Sequence, residues 1–169
     1  QWSSDAYCDH VYDDFRIYDR ALSEDNVKNL YADKELVLNP QYARSVKADS
    51  WNTICLPYAA TPATGVSAYT IAGTNEEKAL LYLSPVTEMT AGMPYIFHSA
   101  NEVAVFTENG EAVDTPVDGN LGLKGIFSSQ AGYVKNGSYI LKGNTWYKVD
   151  NENQFNLGDN RAYLTGIDG

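Results

Sequence analysis

At 169 residues the chain is long enough to bury one sizeable core, and its 22 acidic against 12 basic residues give a net charge of −10. That balance argues against nucleic acid, whose phosphates are held by clustered Lys and Arg, and the scattered cations argue against an anionic membrane surface. No apolar run approaches the roughly 18 residues that span a bilayer, so no membrane insertion is expected, while thirteen Tyr and thirteen Gly suit short strands joined by polar turns.

The opening QWSSDAYCDH has no basic region followed by an apolar run, so any export signal is expected upstream of residue 1. Val11, Phe15 and Ile17 then fall on alternate positions of 11–18, which predicts a half-buried strand. Ser23 is placed to cap a following helix, with Glu24 and Asp25 where the helix dipole favours negative charge. Val27, Leu30 and Tyr31 form one narrow apolar stripe on that helix, which at about nine residues is too short to stand unpacked. This stripe is expected to pack against the remainder of the chain or against a neighbouring chain.

From Leu36 onward the helical period is gone. An extended run to Val46 is followed by strands expected at 51–57, 66–73, 79–86, 94–99, 103–107, 122–129, 137–142, 145–150 and 162–167. Turn chemistry such as GTNEE, TAGMP, ENGE, KGNT and LGDN separates them. The pattern predicts an all-β fold, a sandwich or distorted barrel of about 8–10 short strands with one short N-terminal helix. Two segments follow: a strand-helix fragment over 1–36 and a β module over 37–169.

In SYILKGNTWYKV, Gly143-Asn144 makes a two-residue turn that pairs Leu141 with Trp146 and Ile140 with Tyr147. There is also an internal echo, in which Tyr69 of AYTIAG matches Tyr139 of SYILKG, and Tyr95 matches Tyr163. If the echo is structural, 66–99 and 137–166 should form similar three-stranded units.

The motifs of hydrolases, zinc proteases, phosphate loops and dinucleotide sites are absent, so no catalytic residue, metal or cofactor is expected. His10 and His98 stand alone, and Asp13, Asp14, Glu76, Glu77, Glu108 and Glu111 sit in turn or strand-edge contexts that explain them as solvated groups. The acidic loop 150–160 carries oxygen ligands but lacks the D-x-D-x-D-G order of a calcium loop. Cys8 and Cys55 match no metal spacing; a free packed thiol is expected at Cys55, with a Cys8–Cys55 disulfide as the alternative in an oxidising compartment. The aromatic side chains carry the functional expectation. Trp146 and Tyr147 flank a tight turn and Trp51 opens TICLP, so the three are candidate binding platforms, with a place in the core as the alternative for each.

Two resemblances bear on these expectations. Asp14, Arg16, Ile17, Tyr18, Arg20, Ala21, Leu22 and Ser23 resemble the last strand and helix of laminin G-like or concanavalin A-like jelly rolls. The segments Trp51 to Pro57, Gly65 to Ile71, Ala91 to Phe97 and 160–165 are similar to β modules near the C-termini of large secreted or surface proteins of gut Bacteroidetes-type bacteria. The second resemblance covers about three quarters of the chain and implies an exported accessory module without named catalytic residues. Together with the aromatic candidates, the expectation is a non-catalytic extracellular or cell-surface module that binds a glycan or a surface protein. The alternatives are a structural spacer or display domain, and a part of a glycoside hydrolase assembly.

Overall fold

A computed structural model describes residues 41–75, 77, 79–129, 134–150 and 155–165, together with Val27. The chain divides into two units, Gln1–Leu38 and Asn39–Gly169, and the account that follows concerns the second. The strand expected over 11–18, the apolar stripe and its packing, Cys8 and His10 lie outside the described residues. Val27 has helical backbone and is exposed.

Among the described residues eleven strands form: β1 Gln41–Ser45, β2 Ser50–Cys55, β3 Ala60–Pro62, β4 Val66–Asn75, β5 Leu80–Val86, β6 Pro94–Ser99, β7 Val103–Glu108, β8 Leu123–Ile126, β9 Tyr139–Lys142, β10 Thr145–Lys148 and β11 Arg161–Leu164. They build three open antiparallel sheets, in the orders β1-β7-β3, β2-β6-β4-β5 and β8-β11-β9-β10. The fold is thus the all-β sandwich expected and not a barrel. The extra strand is β3, a three-residue piece ending in Pro62, too short to carry a period and held by pairing with β7 and by the Ala60–Met89 bridge. One irregular 3-10 turn, Asn120–Gly122, precedes β8.

The four-stranded sheet containing β6 is the middle layer, because apolar side chains leave both of its faces. Ile54, Val66, Ala68, Tyr95 and Phe97 form one core with Ala104 and Phe106 of β7. Ile71 and Ile96 form the other with Leu123, Ala162 and Leu164 of the third sheet. The run PYIFHS is apolar without alternation for this reason: Tyr95 and Phe97 point one way and Ile96 the other. The third sheet's outer face carries a smaller core of Val134, Ile140 and Val149, covered by Phe155, Leu157 and Tyr163.

The internal echo is structural. In the middle sheet β4 and β5 make a hairpin, β6 returns beside β4, and β2 lies beyond β6; in the third sheet β9, β10, β11 and β8 repeat that arrangement. The register agrees too. Tyr69 pairs with Ile96, one residue after Tyr95, and Tyr139 pairs with Leu164, one residue after Tyr163. In the same register Thr53 corresponds to Leu123, and Cys55 to Gly125.

An edge strand displays unpaired backbone groups, and β2 has its edge covered. Trp51 N–H donates to Asn144 Oδ1 at 2.7 Å and Cys55 N–H to the Asn160 carbonyl at 3.4 Å. Between them, Arg44 Nη1 donates to the Thr53 carbonyl at 3.1 Å. The Thr53 hydroxyl also donates to the Ala162 carbonyl at 2.7 Å and accepts from its N–H at 3.1 Å, which ties β2 to β11.

Arg44 is buried, with its guanidinium carbon 4.9 Å from the centre of the Phe97 ring. Burial, and after it the nearby Arg161 cation, push its pKa down to about 10, with Tyr42 acting in the opposite sense. The group is still charged at neutral pH. Its Nε and Nη2 have no hydrogen-bond partner among the described residues, so the cation is held by Thr53 and by the ring.

Cys55 is a free, buried thiol whose Sγ lies 3.2 Å from the Gly92 carbonyl it donates to. Burial pushes its pKa up to about 12, from an ordinary value of about 9. A raised pKa contributes stability that is complete below the unfolded-state value and is lost as pH rises through the folded one. The Cys55 contribution is therefore expected to be intact at neutral pH and to fall between about pH 9 and 12. Urea melts across that range, compared with Cys55→Ala, check this; identical alkaline slopes would contradict it.

Candidate functional site

The hairpin register places the three aromatic candidates in different surroundings. Trp146 pairs with Leu141 and Tyr147 with Ile140, so adjacent residues point to opposite faces of the third sheet. Trp146 faces the middle sheet and is half-buried beside Tyr139, Leu141 and Leu164. Tyr147 is on the outer face and 49% exposed. Trp51 lies between the sheets, half-buried, with its ring centre 5.1 Å from His98 and 5.4 Å from Tyr69. The three therefore do not form one platform. Trp51 packs, Tyr147 stands alone, and Trp146 lines a cleft.

That cleft opens at the edge of the sandwich where β5 and β10 end their sheets, and it encloses about 340 Å³. One wall comes from the β4–β5 hairpin, through Thr74, Asn75, Ala79, Leu80 and Leu81; the other is Tyr139, Trp146 and Leu164. Local rules explain the first wall. The register slips between Ile71 and Gly73, a bulge that increases twist, and the Tyr82 ring covers Gly73, where an added Cβ would sit 3.6 Å from it. Ala79 then takes φ +50 to turn the chain into β5. The second wall follows from Gly143 and Asn144, whose φ values of +57 and +68 make the tight turn that brings Trp146 opposite Leu141.

The lining is mostly apolar, with Thr74 and Asn75 as its polar side chains apart from the Tyr139 hydroxyl and the Trp146 indole N–H. Such a space suits an uncharged ligand with an apolar face. Sequence reasoning pointed to Trp146 but missed its companions, because Leu80, Tyr139 and Leu164 are brought together only by the stacking of two sheets. The signal that existed was the echo itself, which makes β5 and β10 equivalent edges.

Carboxylates are dispersed among the described residues. Glu88 stands at a second, polar recess beside Ala59, Met89, Thr90 and Asn109. Asp159 accepts from Ser129 N–H at 2.5 Å, and that backbone bond, then the Ser129 side chain and Arg161, hold its pKa below the ordinary range. Among the described residues no three His, Cys, Asp or Glu side chains gather as metal ligands. No helix there is long and apolar enough to cross a membrane. No protein-family model, curated protein or solved structure matches the chain.

Proposed function

We propose that the Asn39–Gly169 unit is a non-catalytic accessory module of an exported or cell-surface protein, and that it binds a glycan in the cleft between β5 and β10. The observation that carries this is the position of Trp146, whose ring is held in the wall of a cleft open to solvent at the edge of the sandwich. A flat indole accepts the C–H face of a sugar ring, while the Thr74 hydroxyl at the opposite wall offers a polar contact for a sugar hydroxyl. At about 340 Å³ the cleft is at the lower end of ligand sites, which suits a short stretch of glycan. The resemblance to β modules of secreted and surface proteins supports the setting.

A glycan array followed by titration of hits with intrinsic fluorescence tests the reading. Binding is expected to fall at least about tenfold in Trp146→Ala, a loss of about 1.4 kcal/mol, and to be unchanged in Tyr147→Ala. A ligand insensitive to Trp146→Ala would place the site elsewhere. A protein that captures no glycan would instead serve as a structural spacer or display domain.

A further inference from the structure

The edges of the three sheets are protected unequally. The β2 edge is covered by Asn144, Arg44 and Asn160. β3 has three residues and ends in Pro62, β8 carries Lys124 paired with Asp118, and β10 has four residues and ends in Lys148. β1 contains Arg44. By contrast β5 has seven residues, no charge from Ala79 through Val86, and no strand paired to its outer side among the described residues. Charges, prolines and coverings are how proteins prevent edges from pairing, and β5 has only Pro85 near its end.

The register shows which groups β5 displays. On β2 the N–H groups of Trp51 and Cys55 turn outward, so Asn52 and Ile54 bond β6. Carrying the antiparallel alternation across β6 and β4 turns Ser84 and Val86 toward β4, and Leu81, Leu83 and Pro85 outward. Pro85 thus sits where a missing N–H breaks no bond. Tyr82, on the face away from the third sheet, is 50% exposed, and Leu80, at the start of the strand and in the lining of the cleft, is 46% exposed.

We infer that β5 is a dimerisation edge, and that its occupant is β5 of a second copy of this chain, antiparallel about a two-fold axis at Tyr82. In that register Leu81 lies opposite Leu83 of the second copy and Leu83 opposite its Leu81, so the outward N–H and C=O groups of both residues are bonded in both chains. The missing donor of Pro85 falls at the end of the ladder, opposite Ala79 of the second copy, where β5 has ended. Tyr82 meets its own symmetry mate as a non-hydrogen-bonded pair, the arrangement in which side chains come closest. The occupant of this edge must be uncharged and apolar on both faces, and β5 itself has that character. The two middle sheets become one of eight strands.

Two molecules of net charge −10 repel, so this dimer has a salt signature: association strengthens as salt screens the charge. Sedimentation of the full chain over a concentration series at low and high sodium chloride reads it directly. The expected result is a monomer–dimer equilibrium tighter at high salt and weakened at least about tenfold by Tyr82→Lys, with Tyr147→Lys unchanged. In a Cys8→Ser background, Tyr82→Cys is expected to form a disulfide dimer under mild oxidation and Leu80→Cys not, because Leu80 faces Ser84 of the second copy. Hydrogen exchange at the Leu81 and Leu83 amides completes the test. A monomer at high concentration overturns the inference, whether those amides exchange freely or are protected by another segment of the same chain. Equal cross-linking of Tyr82→Cys and Leu80→Cys overturns the register. The glycan reading concerns Trp146, in the cleft that β5 borders, and the two are told apart by their outcomes: a monomer that binds glycan removes only the dimer, and a dimer that binds none removes only the glycan.

Discussion

Phe97→Ala is expected to lower the unfolding free energy by about 4 kcal/mol, one of the largest effects of a truncation among the described residues. The side chain is fully buried at the centre of the middle sheet, and its ring meets Phe106 of the first sheet edge-on at 5.3 Å, with the planes at 86°. Removal therefore costs the transfer of a large apolar group, the cavity left behind, and about 1 kcal/mol of aromatic pairing. It also strips the Arg44 guanidinium of the surface on which it lies, 4.9 Å from the ring centre. Phe97→Leu keeps most of the volume and is expected to lose less than half as much, roughly 1.5 kcal/mol. Urea unfolding with an unchanged slope measures both. A loss below about 2 kcal/mol for the alanine variant would mean that the first sheet does not depend on the middle one through this pair.

Gly125→Ala should cost about 2 to 3 kcal/mol, and Cys55→Ala in the same chain should return part of it. A Cβ at residue 125 would lie 2.9 Å from the Cys55 Cβ and closer still to its sulfur, while Pro116 stands at 3.4 Å. Both residues are on strands, β8 and β2, so neither backbone can give way without disturbing a ladder. Cys55→Ala removes the sulfur clash but keeps the Cβ at 2.9 Å, so it relieves the closest contact and leaves the other, and alone it loses a buried sulfur and the bond to Gly92. The double variant is thus expected to be more stable than the sum of the singles by at least about 1 kcal/mol. Strict additivity in denaturant melts would show that β2 and β8 do not meet at these positions.

All ten extended segments expected from residue 36 onward contain a strand, because each has a hydrophobic run bounded by turn residues. The β9–β10 register was legible because a two-residue turn leaves no freedom. The echo was legible because Tyr69 and Gly73 keep the spacing of Tyr139 and Gly143, although Gly73 lies inside β4 and Gly143 in a turn. What the sequence does not carry is which strands share a sheet. β3 pairs with β7 more than forty residues away, and AATP offers no period to announce it. Arg44 in QYARS reads as a solvated residue of an edge strand, yet it is buried, because the edge of β2 needs a donor at Thr53. For the candidate site, Trp146 and Tyr147 could be assigned to opposite faces by alternation alone. That only Trp146 stands beside open space depends on how closely two sheets approach, a quantity with no local signature.

The repeated sheet topology also sets an order of events in time. Within each repeat, the hairpin forms from neighbouring residues and the returning strand closes a short loop, so 66–99 and 139–164 can each organise early. β1 must instead wait for β7, about sixty residues later in synthesis, and until then the apolar face of the middle sheet has nothing over it. The slow step of folding is therefore expected to be the arrival of the first sheet, although its leading strand is the first of the eleven to be made.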